Sequence, residues 1–100
     1  MPSCDPAALL RMAQQLTNCA QDSDWERMAQ LDVQLSCCVH AAARPLTDPA
    51  LRHAWQQVAQ AHEQARRACA QARDCAAQQL RDVHVTQEAH KAYAWQEMLA

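Results

Sequence analysis

Glycine, phenylalanine and isoleucine are absent from this 100-residue sequence, and each absence narrows what the chain can be. Tight turns with positive φ, β-hairpins and phosphate-cradling loops normally need glycine. A phosphate loop and the strained elbow of a serine hydrolase are therefore excluded. Without isoleucine or phenylalanine, and with valine sparse, strand-forming residues are few. A large charge of one sign is also lacking: the formal net charge is −2, and charged residues make up 20%. No apolar run approaches the roughly 18 residues of a membrane span. Met1-Pro2-Ser3-Cys4-Asp5 lacks the basic start and long apolar stretch of a secretion signal. The expectation is a cytosolic protein without a membrane segment.

Alanine and glutamine fill much of the chain, and both favour helix. The length fits one domain. Its core is thin, because Leu, Ile, Val and Phe together fall below roughly 20%, leaving Ala, Met, Cys and Trp to supply the remaining apolar surface. A core of this kind gives modest stability, and a second copy could supplement it as a homodimer. The six cysteines are Cys4, Cys19, Cys37, Cys38, Cys69 and Cys75. In a chain without a secretion signal they are expected to be reduced thiols, most of them small packing residues.

Periodicity and punctuation divide the chain into four helices. Asp5-Pro6 supplies an N-cap and a first-turn proline. Leu9, Met12, Ala13, Leu16, Cys19 and Ala20 then mark one apolar face, which ends near Gln21. After the polar turn Asp22-Ser23-Asp24, a second stripe runs through Trp25, Met28, Leu31, Leu35, Cys38 and Ala42. Arg44-Pro45-Leu46-Thr47-Asp48-Pro49 is the clearest break, and Asp48-Pro49 repeats the cap-plus-proline start. The third stripe includes Leu51, Trp55, Val58, His62, Ala65, Cys69, Ala72, Ala76 and Val83, so a helix can continue to about Asp82. Val83-His84-Val85-Thr86 interrupts the helix-rich composition, and Thr86 can cap a short last helix. The fold class is all-α: a small antiparallel bundle of three long helices plus a short C-terminal helix. It is expected as one domain over 1–100, with 1–4 disordered and 86–99 displaceable, since a helix this short is marginal alone.

Catalytic chemistry finds no support. His62-Glu63-Gln64-Ala65-Arg66 places Arg66 where a zinc protease needs its second histidine. Cys37-Cys38-Val39-His40 lacks the spacing of haem attachment, and Glu88-Ala89-His90 lacks that of a di-iron helix. The arginines at 66, 67, 73 and 81 are interleaved with Glu63, Asp74 and Asp82, which reads as a mixed-charge helix face more readily than a nucleic-acid surface. The expectation is no enzyme, no cofactor, no metal and no nucleic-acid partner. A composite metal or haem site using His62, His84, His90 and the cysteines is the competing reading of a different class.

Two local features stand out. Trp25 opens the second helix in Asp24-Trp25-Glu26-Arg27-Met28-Ala29-Gln30-Leu31-Asp32. The last helix carries Lys91-Ala92-Tyr93-Ala94-Trp95-Gln96-Glu97-Met98-Leu99, and aromatic residues on a marginal helix often mark a contact surface. At these residues the chain resembles the FliT-type flagellar export chaperones. The resemblance lies in Trp-Glu-x-Met-x-x-Leu-Asp from Trp25 to Asp32, then a proline-containing loop, a long helix and the pair Ala92-Tyr93. It covers nearly the whole chain in outline.

That resemblance implies a helical cytosolic chaperone that binds the C-terminal segment of the flagellar filament-cap protein and prevents premature assembly. It also implies contacts, in some members, with the export ATPase or gate and with the flagellar master transcription regulator. The family's last helix can cover part of the binding surface. The expected mode is helix-in-groove binding, with Trp25, Met28, Leu35, Trp55 and Val58 as candidate partner-binding residues. Ala92, Tyr93, Trp95, Met98 and Leu99 are then candidates for an autoinhibitory helix. The alternative within the same fold is a non-flagellar helical adaptor or regulatory interaction protein.

Overall fold

The computed structural model describes residues 4–42 and 44–100. Three helices account for most of them: α1 (Pro6–Asp22), α2 (Trp25–Ala41) and α3 (Pro49–Leu99). The chain separates into two compact units, Met1–Cys69 and Ala70–Ala100.

In the first unit the helix starts follow the sequence signals. Asp5 caps α1, its Oδ1 accepting from the Ala8 amide at 2.7 Å, with Pro6 in the first turn. Asp24 caps α2 in the same way, accepting from the Arg27 amide at 3.1 Å. Each bond satisfies an amide that the helix itself leaves without a partner. The stop between them is made without glycine. Ser23 takes the left-handed conformation, with φ 56° and ψ 34°. The amides of Ser23 and Asp24 both reach the Cys19 carbonyl, the latter at 2.9 Å, which closes α1 in the manner of a Schellman turn. So short a link folds α2 back against α1.

The core draws on all three helices. α1 contributes Ala8, Leu9, Met12, Ala13, Leu16 and Cys19; α2 contributes Leu31, Leu35 and Cys38; α3 contributes Ala54, Val58, Ala61 and Ala65. Leu9, Leu16 and Leu31 are fully enclosed, and each stabilises the unit by roughly 1.5–3 kcal/mol. Of the expected α3 stripe, Val58 and Ala65 are buried, but His62 and Cys69 are exposed. The buried line instead runs 54-58-61-65, a spacing of four, three and four.

Two expectations are corrected here. Cys4 and Cys38 form a disulfide, their Cα atoms 5.7 Å apart and 34 positions apart in sequence. Spacing arguments compare cysteines near in sequence, whereas this pair meets only once α2 has folded back on α1. Cys4, expected to be disordered with residues 1–3, also packs against the core; residues 1–3 lie outside the described set. The remaining thiols are Cys19, which is buried, and Cys37, Cys69 and Cys75, which are exposed. Burial, with the Asp24 carboxylate adding to it, pushes the Cys19 thiol pKa up, so it stays protonated and inert.

The second correction concerns the last helix. Residues 83–86 are helical, and α3 continues to Leu99. The Thr86 hydroxyl donates to the Asp82 carbonyl at 2.9 Å, a bond made inside a helix and not at its start. Val and Thr lower helix propensity by only about 0.5 kcal/mol each. With no glycine or proline among them, good helix formers on both sides carry the helix through. Among the described residues there is no separate fourth helix.

Within the Ala70–Ala100 unit no described side chain is buried. Leu80, Val83, Val85, Tyr93, Trp95, Met98 and Leu99 are all exposed. No described helix is long and apolar enough to cross a membrane.

Candidate functional site: a groove between α2 and α3

The first unit carries an apolar groove between α2 and the start of α3. A cavity of about 610 Å³ is lined by Val39 of α2, by Ala42 just past its end, by Arg44, Pro45 and Leu46 of the loop, and by Arg52 and Trp55 of α3. A second, of about 420 Å³, includes Leu35, Val39, Trp55 and Val58, with Asp32, His62 and Glu63 at its far end. Val39 and Trp55 line both, so the two cavities adjoin as a trough along α2 and α3.

Helical register explains this lining. Leu35 and Val39 are four apart on α2, and Trp55 and Val58 are three apart on α3. Val58 is buried in the core, while Trp55 packs against it only in part, leaving some of its indole surface to face the trough. Val39 is 39% exposed.

The far end is fixed by polar bonds. A ring nitrogen of His62 (Nε2) lies 2.8 Å from Asp32 Oδ1, tying α3 to α2. Glu63 accepts from Arg66 Nε and Nη2 at 3.0 and 2.9 Å, and from Arg67 Nε at 3.0 Å. Hydrogen bonds from Arg66, then Arg67, lower its carboxyl pKa to about 2. The residue that breaks the His-Glu-x-x-His pattern, Arg66, therefore holds the neighbouring glutamate as a bonded anion. Among the described residues no cluster of His, Cys, Asp and Glu could hold a metal ion.

On the other side of α3 the surface is different. The groove between α1 and α3 is lined by Gln14, Thr17, Gln57, Gln60 and Gln64, with Leu10, Ala13 and Ala61. Polar amides dominate it, so it offers little apolar surface to an incoming side chain.

Of the five residues expected to bind a partner, the structure brings Leu35, Trp55 and Val58 together in the α2–α3 trough. Trp25 and Met28 do not line it. Trp25 is half-buried in the first turn of α2, and Met28 packs against the core. Val39, Leu46, Arg44 and Arg52 were not among the expected residues. Val39 carried a readable signal, since it lies one helical turn beyond Leu35. Arg52 carried one too, three residues before Trp55 on α3, whereas Arg44 and Leu46 belong to the loop, which side-chain periodicity does not describe.

The other expected group lies in the second unit. Trp95, Met98 and Leu99 share one helix face by their spacing of three and four, and Tyr93 points elsewhere. They are 63–84% exposed, and Tyr93 falls within that range. Ala92 is exposed as well.

The sequence model of one family, described as flagellar protein FliT, matches residues 6–95. No curated protein and no solved structure gives a match.

Proposed function

Because the chain belongs to the flagellar protein FliT family, a family of flagellar export chaperones, we propose that it binds the C-terminal helical segment of the filament-cap protein in the cytosol. Its client is thereby kept from assembling before export. The observation that carries this reading is the pair of adjoining cavities over Leu35, Val39, Trp55 and Val58. A client helix laying its apolar face there would cover Val39 and Trp55, which the chain itself leaves partly open beside the buried Leu35 and Val58. Trp25 and Met28, both only partly buried near the start of α2, are proposed as a second contact outside the trough.

The proposal includes regulation and further partners. Ala92, Tyr93, Trp95, Met98 and Leu99 compete with the client for apolar contacts, so the segment from Thr86 onward acts as an inhibitor. Export ATPase or gate components and the flagellar master transcription regulator are proposed as additional partners, and a homodimer as a state of the free protein.

The test is titration calorimetry with a synthetic C-terminal segment of the cap protein. Trp55→Ala should weaken binding by tenfold or more, as loss of a central aromatic anchor does, while the helical signal is retained. Gln60→Ala, in the polar groove across α3, should leave affinity unchanged. Equal affinity of wild type and Trp55→Ala refutes the assigned groove. Absence of binding by the wild type refutes the client.

A further inference from the structure

The trough has unequal ends, and the inequality carries information about its occupant. Arg44 and Arg52 both line the larger cavity beside Val39, Leu46 and Trp55. Among the described residues neither forms an ion pair. Arg44 reaches only the Val39 carbonyl, at 3.5 Å, and no hydrogen bond engages the Arg52 side chain. The nearby acid, Asp48, is turned to the backbone, its Oδ1 accepting from the Ala50 amide at 3.0 Å. At the other end the carboxylates already have partners: Asp32 Oδ1 lies 2.8 Å from a His62 ring nitrogen, and Glu63 is paired with Arg66 and Arg67. One end therefore presents two guanidiniums with no carboxylate in ion-pair contact, whereas the carboxylates at the other end are already bonded.

Resting on the reading of this trough as a client groove, we propose that the occupant is an amphipathic helix bearing side-chain carboxylates in its last turn, which Arg44 and Arg52 hold. Apolar side chains fill the trough over Trp55, and the acidic turn sits at the loop. Arginine forks suit this task because they bind carboxylates with fixed geometry. The negative end of the bound helix dipole falls at the same place and adds to the attraction. The pairs are exposed, so their main effect is to set the direction in which the helix lies.

The experiment uses the full chain and three fluorescein-labelled helical peptides with one common apolar face and an amidated C-terminus. The last turn carries two Glu, two Gln or two Lys. Wild type should bind the Glu peptide about fivefold more tightly than the Gln peptide, and the Lys peptide least. The doubly substituted Arg44→Glu, Arg52→Glu chain should reverse the order, with the Gln peptide nearly unchanged. Moderate salt should shrink the differences. The same order in both proteins, or equal affinities in wild type, overturns the acidic-end assignment while leaving the groove standing. Failure of all three peptides to bind overturns the groove, and this inference with it.

Discussion

Removal of Thr86–Ala100 perturbs stability and binding in separable ways. Every buried side chain among the described residues lies between Ala8 and Ala65, and the large apolar residues beyond Val85 are at least 63% exposed. A segment that buries nothing adds nothing to the core, so its loss should cost under about 0.5 kcal/mol, as for surface changes generally. In a domain of this size 1 kcal/mol corresponds to about 4–8 °C, so the thermal midpoint should move by less than about 4 °C. The helical signal should nevertheless fall by about one-sixth, because residues 86–99 are part of the 51 helical residues of α3, with 17 more in each of α1 and α2. Circular dichroism reads both quantities. A midpoint lowered by 8 °C or more would show that the segment packs against the first unit, and would refute the bookkeeping of burial. Titration of the same variant with the client segment reads inhibition. If the groove is open in a fraction f of molecules, truncation tightens binding by 1/f, so half occupancy gives a twofold gain. Unchanged affinity removes the inhibitory role.

Three further outcomes follow from the first unit. Ser23→Gly relieves the left-handed strain of about 1–2 kcal/mol but loses part of it to unfolded-chain entropy; denaturant titration should show a net gain of about 0.5 kcal/mol, and a loss would mean the Ser23 side chain matters to the turn. Cys4→Ser, or reductant, opens a loop closed across 34 positions, and oxidised wild type should exceed either by about 2–4 kcal/mol; equal midpoints would count against the disulfide as a stabiliser. Cys38 is the wrong site for that test, because it is fully buried and its loss would also disturb packing. Glu63 has its folded pKa lowered from 4.5 to about 2, so the stabilisation it gives is present above about pH 4.5 and is lost as pH falls toward 2. Acidification over that window should lower the midpoint of wild type more than that of Glu63→Gln, and salt should narrow the gap, since the pairs are exposed; parallel curves would show that the Arg66 and Arg67 bonds leave stability unaffected.

How much of this was legible in the sequence differs between elements. Both caps, both stops around Ser23 and the 44–49 loop, and most of the α1 and α2 core positions could be read directly. Asp-Pro pairs and three-four spacings act within one turn of helix, where sequence neighbours are spatial neighbours. The α3 face was harder, because alanines occur on every side of that helix, and Ala54 and Ala61 carry no more signal than the exposed Ala76. The Cys4–Cys38 pairing required knowing how α2 returns along α1. The interruption at Val83–Thr86 weighed a weak propensity too heavily, with no proline or glycine to enforce it. At the site, Leu35, Trp55 and Val58 followed from stripes shared by two helices. Arg52, three residues before Trp55 on α3, could have been read in the same way, whereas Arg44 and Leu46 depended on the path of the loop.

The scarcity of large apolar residues also explains why a groove exists at all. α3 gives the core Ala54, Val58, Ala61 and Ala65, a low-relief surface that buries little area. Leu51 and Trp55 are too large for that narrow contact and remain at its margin, packed in part against the core. On the α1 side the margin is filled with glutamines, whose amides prefer water. On the α2 side it meets Leu35, Val39 and Leu46, and the apolar surface stays unsealed. Enlarging the alanines of α3 would increase burial only by forcing the helices apart or shifting Trp55. The small residues that keep the stability of the unit modest are thus the same ones that hold Trp55 at the surface, where an incoming helix can cover it.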